Sequence, residues 1–281
     1  MRLFVLVQYA LPHRALSRLV YWATRWTWRP WKNFLIGRVL KAYAIDMSQA
    51  AQADPFAYAS FNAFFTRALK AGARPLPADA QAIACPADGR ISQFGAIRDG
   101  RLFQAKGRDF SAAELLGDEA AAAAYANGRF ITVYLSPSDY HRVHAPLDGT
   151  LRETVHVPGR LFSVAPSAVE AVPRLFARNE RLVCHFDGAA GPFAVVMVGA
   201  MLVSGVETVW DGVEIPPYAR RIVRKDWRGK QVRVHRGGEL GRFNMGSTVI
   251  VLLPSGTAEI DGDLSVQSLV RMGQPIGRVK L

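Results

Sequence analysis

Three short segments of the sequence carry side chains that could do chemistry. Asp88 stands in a Pro-Ala-Asp-Gly run, His141 and His144 lie three residues apart, and Ser247 follows Gly246. An Asp, a His and a Ser can form a nucleophilic triad, in which the acid orients the imidazole and the imidazole takes the hydroxyl proton. Read singly, Asp-Gly and Gly-Ser are also ordinary turn sequences. The sequence alone does not show whether the three residues meet.

The two histidines allow more than one interpretation. Spaced as His-x-x-His, they could share a helical face or lie on a loop, and they could bind a metal. The zinc signal is weak without a third ligand nearby, because catalytic zinc takes three protein ligands in addition to water. General acid–base catalysis suits a neutral-pH imidazole equally well.

The residues after Ser247 predict a buried strand. Val249–Leu253 is a β-branched apolar run too short for a helix, and Pro254 ends it. Ser247 is therefore expected where a turn feeds a strand. Gly246 can adopt backbone angles closed to other residues, so strain could be stored there.

Bulk composition sets limits on the class of protein. The chain has 281 residues and is 50% hydrophobic, enough for one large domain or two small ones with a sizeable core. Its net charge of +12 indicates an anionic partner, which could be nucleic acid, a membrane surface or an acidic substrate. Cys85 and Cys184 form neither a disulfide framework nor a metal knuckle, so a reducing compartment is the default.

The basic charge is concentrated at the N-terminus. Residues 1–45 contain no Asp or Glu but hold eight Lys or Arg and four of the six Trp. They are predicted to form one or two amphipathic helices. Basic residues with Trp and Leu are typical of a helix that lies in a bilayer interface. The candidate membrane-binding residues are Arg14, Arg18, Trp22, Arg25 and Trp26.

The N-terminal segment allows three other interpretations. A secretory signal is disfavoured, because Leu3–Val7 is too short for its apolar region and no clean cleavage site follows. A mitochondrial transit peptide fits the Arg-rich, acid-free character, but the segment has few Ser and many Trp. A basic helix packed on the protein's own core stays open.

The rest of the chain divides in texture near residue 77. A helix is expected over Pro55–Leu69, and Arg74–Pro77 looks like a linker. Beyond it, short apolar runs punctuated by Gly and Pro predict strands, and Ser111 with Glu114 predicts a capping box. The uncharged run 188–206 is rich in Gly and Val, which favours buried strands over a membrane span. We expect an α+β fold, with N-terminal amphipathic helices in 1–77 and a β-rich catalytic core in 78–281.

Together these motifs resemble the bacterial, membrane-associated phosphatidylserine decarboxylase proenzymes. The resemblance covers most of the chain, and the two His with the Gly-Ser-Thr are its most specific part. Met245 is a mild departure, since the family often has Leu there. The matching segments are 61–65 (FNAFF), 74–75 (RP), 86–89 (PADG), 105–107 (AKG), 134–137 (YLSP), 139–144 (DYHRVH), 176–181 (FARNER) and 245–248 (MGST).

The resemblance implies autocatalytic cleavage between Gly246 and Ser247. Ser247 attacks the Gly246 carbonyl, and the resulting ester eliminates to leave a pyruvoyl cofactor in place of Ser247. The resemblance assigns the base to His144, oriented by Asp88, and the proton donor of the later decarboxylation to His141. The products would be a large chain (1–246) and a small chain (247–281) that stay together as a heterodimer.

The resemblance also implies a substrate and a location. The pyruvoyl carbonyl would act as the electron sink for converting phosphatidylserine to phosphatidylethanolamine. The protein would bind an anionic membrane peripherally, at the cytoplasmic face of the cell membrane. Neither a metal nor nucleic acid is expected, and homo-oligomerisation is left open.

Two hypotheses from other classes compete with this one. A membrane-associated Ser-His-Asp hydrolase would use the same residues with an uncut chain, although Ser247 lacks a G-x-S-x-G elbow. A non-enzymatic basic module for nucleic acid or lipid would also suit the charge. The clustering of Arg and Trp at one end, without a recognisable nucleic-acid motif, favours lipid.

Overall fold

The computed structural model describes residues 3–202, 205–244 and 247–280, with side chains from residue 7 onward. Three helices come first: α1 (Leu3–Ala10), α2 (His13–Arg25) and α3 (Arg29–Ala42). The expectation of one or two helices was therefore wrong. The breaks have a local cause, because Pro12 immediately precedes α2 and Pro30 lies in the first turn of α3, where its missing N–H is tolerated.

The helix expected over Pro55–Leu69 is much shorter than predicted. Only a 3-10 turn (Pro55–Ala57) and α4 (Phe61–Phe65) form. Ser60 is extended and caps α4, its Oγ accepting from the Ala63 N–H at 3.1 Å, so the two pieces cannot join. The aromatic side chains of α4 still pack inward, with Phe64 and Phe65 buried against Ile36 of α3.

The remainder of the chain is β-rich, which confirms the α+β class. Short helices α5 (Ala112–Leu116), α6 (Glu119–Ala123), α7 (Pro166–Ala171) and α8 (Leu175–Arg178) interrupt it, and Ser111 forms the predicted capping box with Glu114. The strands are β1 Ala82–Ala84, β2 Gly89–Ala96, β3 Arg101–Ala105, β4 Arg108–Ser111, β5 Arg129–Leu135, β6 Arg142–His144, β7 Gly149–Val157, β8 Arg181–Gly188, β9 Gly191–Val198, β10 Val206–Thr208, β11 Gly212–Ile215, β12 Val223–Asp226, β13 Arg233–Val234, β14 Glu239–Phe243, β15 Ser247–Leu253, β16 Ala258–Ile260, β17 Leu269–Val270 and β18 Pro275–Val279.

Four sheets contain these strands. The largest has the order β12-β7-β8-β9-β15-β5-β2-β17, with β13 also paired to β7. A second sheet has the order β11-β10-β14-β6, a third has β1-β18-β16, and β3 pairs with β4. Apolar clusters cover both faces of the large sheet, so every residue of β15 is buried. Its near-continuous apolar sequence follows from that position.

The two larger sheets are joined by three neighbouring connections. Strands β9, β15 and β5 are adjacent in the large sheet, and β10, β14 and β6 are adjacent in the second. The chain therefore passes between the two sheets after β5, after β9 and after β14. Backbone hydrogen bonds tie the described ends together: Phe243 N donates to His141 O at 3.0 Å, and Asn244 N donates to Gly205 O at 2.9 Å.

Ion pairs attach helix α2 to the β-rich part. Arg14 reaches the fully buried Glu180 at 3.3 Å, and the other Glu180 oxygen contacts His156 at 2.8 Å. At the end of the helix, Arg25 pairs with Glu207 at 3.0 Å. The division of the chain near residue 77 stays a prediction. None of the helices in the described ranges is both long and apolar enough to cross a membrane.

Candidate functional site

Ser247 begins β15 and faces the end of β5. It is paired with Leu135, and its side chain has no exposed surface. Within the described ranges its Oγ has no hydrogen-bond partner, which is unusual for a buried hydroxyl. The predicted turn before it cannot be compared, because Met245 and Gly246 lie outside the described residues. The predicted strand after it is confirmed and includes Ser247 itself.

His144 ends β6 and has both ring nitrogens bound. Nδ1 lies 2.8 Å from the Gly237 carbonyl oxygen, which can only accept, so Nδ1 carries the proton of the neutral ring. Nε2 therefore presents its lone pair and accepts from the Tyr140 hydroxyl at 3.0 Å. Burial lowers the pKa of His144 below its ordinary value, which keeps the ring neutral and able to accept a proton. These contacts suit a general base.

His141 is fully buried, and it lies one residue before β6 in the loop that follows β5. Its ring packs at a tilt against Phe65 of α4, with the ring centroids 4.1 Å apart, and its Nδ1 donates to the Asp139 carbonyl at 2.8 Å. Nε2 has no hydrogen-bond partner within the described ranges. Burial lowers the pKa of His141 to about 3, so the ring is neutral. It would have to take up a proton before it could donate one.

Asp88 lies beside these histidines but its carboxylate faces elsewhere. Arg74 binds both carboxylate oxygens, with Nε donating to Oδ1 at 2.9 Å, and the Met272 N–H donates to Oδ1 at 2.8 Å. No hydrogen bond joins Asp88 to His144 among the described residues. The link between them is through the backbone, since His144 N donates to the Pro86 carbonyl at 2.8 Å.

The sequence reasoning missed the partners that hold these side chains. Arg74 was taken for part of a linker, yet it is the ion-pair partner of Asp88. Tyr140 and Gly237 set the tautomer of His144, and neither was singled out. Arg74 and Tyr140 do lie within two of the quoted motifs, at 74–75 and 139–144, so the signal was present without an assigned role.

A cavity of about 230 Å³ opens next to Asp88 and Tyr140. Arg67 lines it and is only 4% exposed. One hydrogen bond, from Nη2 to the Ser138 carbonyl at 3.3 Å, holds its guanidinium. Nε and Nη1 are buried without a partner in the described part of the chain. Burying a guanidinium with so few acceptors is costly, so this arginine is suited to an anionic ligand.

Both signs of charge line the same cavity. Arg74 and Arg271 stand with Arg67, while Asp46, Asp88 and Asp139 supply carboxylates. Burial raises the pKa of Asp139, and its Oδ2 accepts from the Ser136 N–H at 2.7 Å. A lining of this kind suits a ligand that carries both positive and negative groups better than a simple anion.

The five candidate membrane-binding residues separate into two groups. Arg18, Trp22 and Trp26 are exposed, and Trp22 is 70% exposed, so these side chains are accessible to a partner outside the chain. Arg14 and Arg25 instead bind the protein's own Glu180 and Glu207. The exposed surface continues through Trp28, Arg29 and Phe34.

No cluster of three or more His, Cys, Asp or Glu side chains in the described part of the chain is arranged to hold a metal ion. Both cysteines are buried as free thiols, and burial raises the pKa of Cys85 to about 12. Neither is suited to act as a nucleophile.

Comparison with known proteins gives consistent matches along the whole chain. The family model described as phosphatidylserine decarboxylase matches residues 61–278, and a model described as PSD matches residues 3–44. A phosphatidylserine decarboxylase proenzyme of Xanthomonas axonopodis pv. citri (strain 306) is 62% identical over 279 residues, covering 99% of each chain. The proenzyme of Stenotrophomonas maltophilia (strain R551-3) is 56% identical over 280 residues, covering 100% of each.

The buried, neutral state of His141 predicts acid sensitivity of the fold. The unfolded chain binds a proton at His141 below about pH 6.5, whereas the folded chain does so only near pH 3, so its contribution to stability is lost as the pH falls through this window. His141→Asn should lower the slope of the unfolding free energy against pH by up to about 1.4 kcal/mol per pH unit, which is the effect of one proton. Denaturant unfolding between pH 7 and 4 measures it.

The matched control is His235→Asn, because the His235 side chain is 89% exposed. The slope of this variant is the baseline against which His141→Asn is compared. Equal slopes for wild type and His141→Asn would contradict the prediction.

Proposed function

The chain belongs to the phosphatidylserine decarboxylase family, and we propose from this premise that it decarboxylates phosphatidylserine through a pyruvoyl group made from its own Ser247. The observation that carries the proposal is the Ser247 hydroxyl. It is completely buried, at the first position of a fully buried strand, with no partner in the described ranges. A hydroxyl held in this way is available to attack the preceding peptide.

Self-cleavage would proceed by exchange of one bond for another. Ser247 Oγ loses its proton and attacks the Gly246 carbonyl carbon, the Gly246–Ser247 C–N bond breaks, and the nitrogen gains a proton. Loss of the Ser247 α-proton then breaks the Cβ–Oγ bond and releases residues 1–246 with a carboxylate end. The dehydroalanine left at 247 takes up water and loses ammonia, which leaves the ketone.

His144 is our candidate for the base in these proton transfers. Its Nε2 lone pair is the acceptor that such a step needs, and the Gly237 carbonyl fixes that tautomer. The Tyr140 hydroxyl holds Nε2 and could pass a proton to it. Asp88 would act at a distance, as a charge paired with Arg74. This differs from a Ser-His-Asp hydrolase, where the acid itself accepts from Nδ1–H, and it counts against that alternative.

Once present, a pyruvoyl group at position 247 would supply a carbonyl that accepts the electron pair left when CO₂ departs. The chain's own contribution would be proton handling at His141. Because its Nε2 is unprotonated and buried, it could take a proton from the substrate's ammonium group. It could later return this proton to the carbon that lost the carboxyl group. Because Ser247 is completely buried, part of its surroundings must move after cleavage before a headgroup can reach this position.

An intact mass under denaturing conditions tests the proposal. Wild type should give two chains, of 246 and 35 residues, with the smaller one lacking a free amino terminus. Ser247→Ala removes the attacking oxygen and should leave one uncut chain that releases no CO₂ from phosphatidylserine. Ser255→Ala is the matched control, since Ser255 is exposed just beyond the other end of β15, and it should cut normally. A single chain in an active wild-type preparation would leave the hydrolase first in line.

The cavity beside Arg67 is our candidate for the headgroup. Arg67 would bind the phosphodiester rather than the carboxylate, because the phosphate keeps its charge throughout the reaction. Holding the carboxylate tightly would favour the ground state over the transition state. The mixed charge of the lining suits a headgroup that carries an ammonium as well as anions.

Arg67→Met should raise KM for phosphatidylserine by about 10- to 100-fold, since a charge-assisted hydrogen bond contributes roughly 1.5–3 kcal/mol. Self-cleavage should be retained, which the two-chain pattern reports. Arg90→Gln is the control: Arg90 is exposed on β2, and Nη1 donates to the Gln267 carbonyl. An unchanged KM in a fully cut Arg67→Met preparation would exclude Arg67 from headgroup binding.

We also propose that the exposed side of α2 and α3 docks on an anionic membrane, at its cytoplasmic face. Trp22, Trp26 and Trp28 expose aromatic rings, and Arg18 and Arg29 are exposed cations beside them. This is the composition of a helix at a bilayer interface. The heterodimer of large and small chains would then lie on the membrane surface that contains its lipid substrate.

Arg18→Glu with Arg29→Glu should weaken binding to phosphatidylserine vesicles, most strongly at low salt, and should spare self-cleavage. Vesicle sedimentation measures it. Arg98→Glu with Arg233→Glu makes the same change of charge at exposed sites of the β-rich part and should have little effect. Arg14 and Arg25 are unsuitable here because their reversal would break the pairs with Glu180 and Glu207. Equal binding by both double variants would overturn the docking surface.

A further inference from the structure

Glu207 connects helix α2 to the chain that enters the proposed cleavage site. On one side its Oε1 accepts from Arg25 Nη2, at the end of α2, at 3.0 Å. On the other side the same oxygen accepts from Asn244 Nδ2, also at 3.0 Å. Arg242 Nε stands 3.9 Å from Oε2, across the β10–β14 pair. One carboxylate is thus shared between a lipid-facing helix and a residue two positions before Gly246.

Asn244 is held tightly where it lies. It has no exposed surface, and its N–H donates to the Gly205 carbonyl at 2.9 Å. A Cβ added to Gly205 would come within 3.2 Å of Asn244 Nδ2, so the two residues are closely packed. Ser247 is held on the other side of the peptide by its pairing in β15. Only residues 245 and 246 lie between these two fixed points in the sequence. A displacement of Asn244 would therefore change the position of the Gly246–Ser247 peptide bond.

We propose that Glu207 is a positioning residue for self-cleavage, which it controls by fixing Asn244 and by making that position depend on the seating of helix α2 through Arg25. The inference rests on the proposed function, since it assumes cleavage after Gly246. Attack by a neighbouring hydroxyl depends steeply on alignment, so a shift of even about 1 Å slows such a step by about 100-fold. Glu207 acts through Asn244, whose side chain donates to its carboxylate.

The rate of cleavage in a pulse–chase after cell-free synthesis tests the proposal, read as loss of the full-length chain. Glu207→Ala should slow cleavage by about 10- to 100-fold, because both Asn244 and Arg25 lose the Glu207 carboxylate as an acceptor. Glu207→Gln should slow it less, since its amide oxygen can still accept from Asn244. Arg25→Met should match Glu207→Gln. The double variant of Arg25→Met and Glu207→Gln should be no slower than either single one, because both remove the same ion pair.

Glu153→Gln is the matched control. Glu153 has a similar side-chain exposure, 19% against 23%, and pairs with Arg224 at 3.2 Å on the far strands β7 and β12. Glu153→Gln and Glu207→Gln should lower the melting temperature by similar amounts, while only Glu207→Gln slows cleavage. A role confined to stability would instead slow both or neither.

The outcomes separate this inference from the function it rests on. Wild type that never cuts would overturn both. If the wild type cuts, and Glu207→Gln and Arg25→Met both cut at the wild-type rate, only the role of Glu207 is overturned. Additive slowing in the double variant would overturn the connection through one carboxylate. Glu207→Gln and Arg25→Met keep the test decisive if Glu207→Ala fails to fold.

Discussion

The double-sided hydrogen bonding of β15 is the constraint on which the rest of the site depends. The strand is paired with β5 along one edge and β9 along the other, and it is buried on both faces. Ser247 is its first residue, so its backbone is fixed by the sheet. The neighbouring strands then decide what surrounds it. The loop after β5 carries His141, the strand after that loop carries His144, and the segment after β9 leads to Glu207.

Buried polar groups around this strand fall into two kinds. Some have an acceptor at every nitrogen, such as Arg181, which donates to the backbone carbonyls of Glu114, Leu115, Ala177 and Asn179. Such groups fix a structure. Others have an unfilled bonding capacity in the described part of the chain, among them Ser247 Oγ, Thr248 Oγ1, His141 Nε2 and two nitrogens of Arg67. Ser247 and His141 lie where the chain passes between the two sheets, and Arg67 is hydrogen-bonded to the loop after β5. Unsatisfied buried groups are costly to a fold, and functional sites are among the places where that cost is tolerated.

The sequence could predict what depends on local pattern. The α+β class, strand β15 and the Ser111 capping box follow from composition, periodicity and local motifs. It could not predict the side-chain partners, because these depend on which strands become neighbours. Asp88 was expected to orient His144, but Arg74 lies closer and offers a two-pronged charged partner. The aromatic spacing predicted one helix over 55–69, but the N-cap at Ser60 begins a separate, short helix there. Arg14 and Arg25 show that the basic residues of a helix can form ion pairs within their own protein.

The small chain that the proposed cut would produce is woven through the molecule. Its strand β15 lies in the interior of the large sheet, β17 pairs with β2, and β18 lies between β1 and β16. Thirty-five residues would thus hold two sheets together with no covalent link to them. Before the cut, folding is a unimolecular search. Afterwards, reassembly from separated chains would be bimolecular, with an apparent stability that varies with protein concentration. Maturation would convert a reversible folding equilibrium into a kinetically trapped assembly, whose lifetime is set by its unfolding rate.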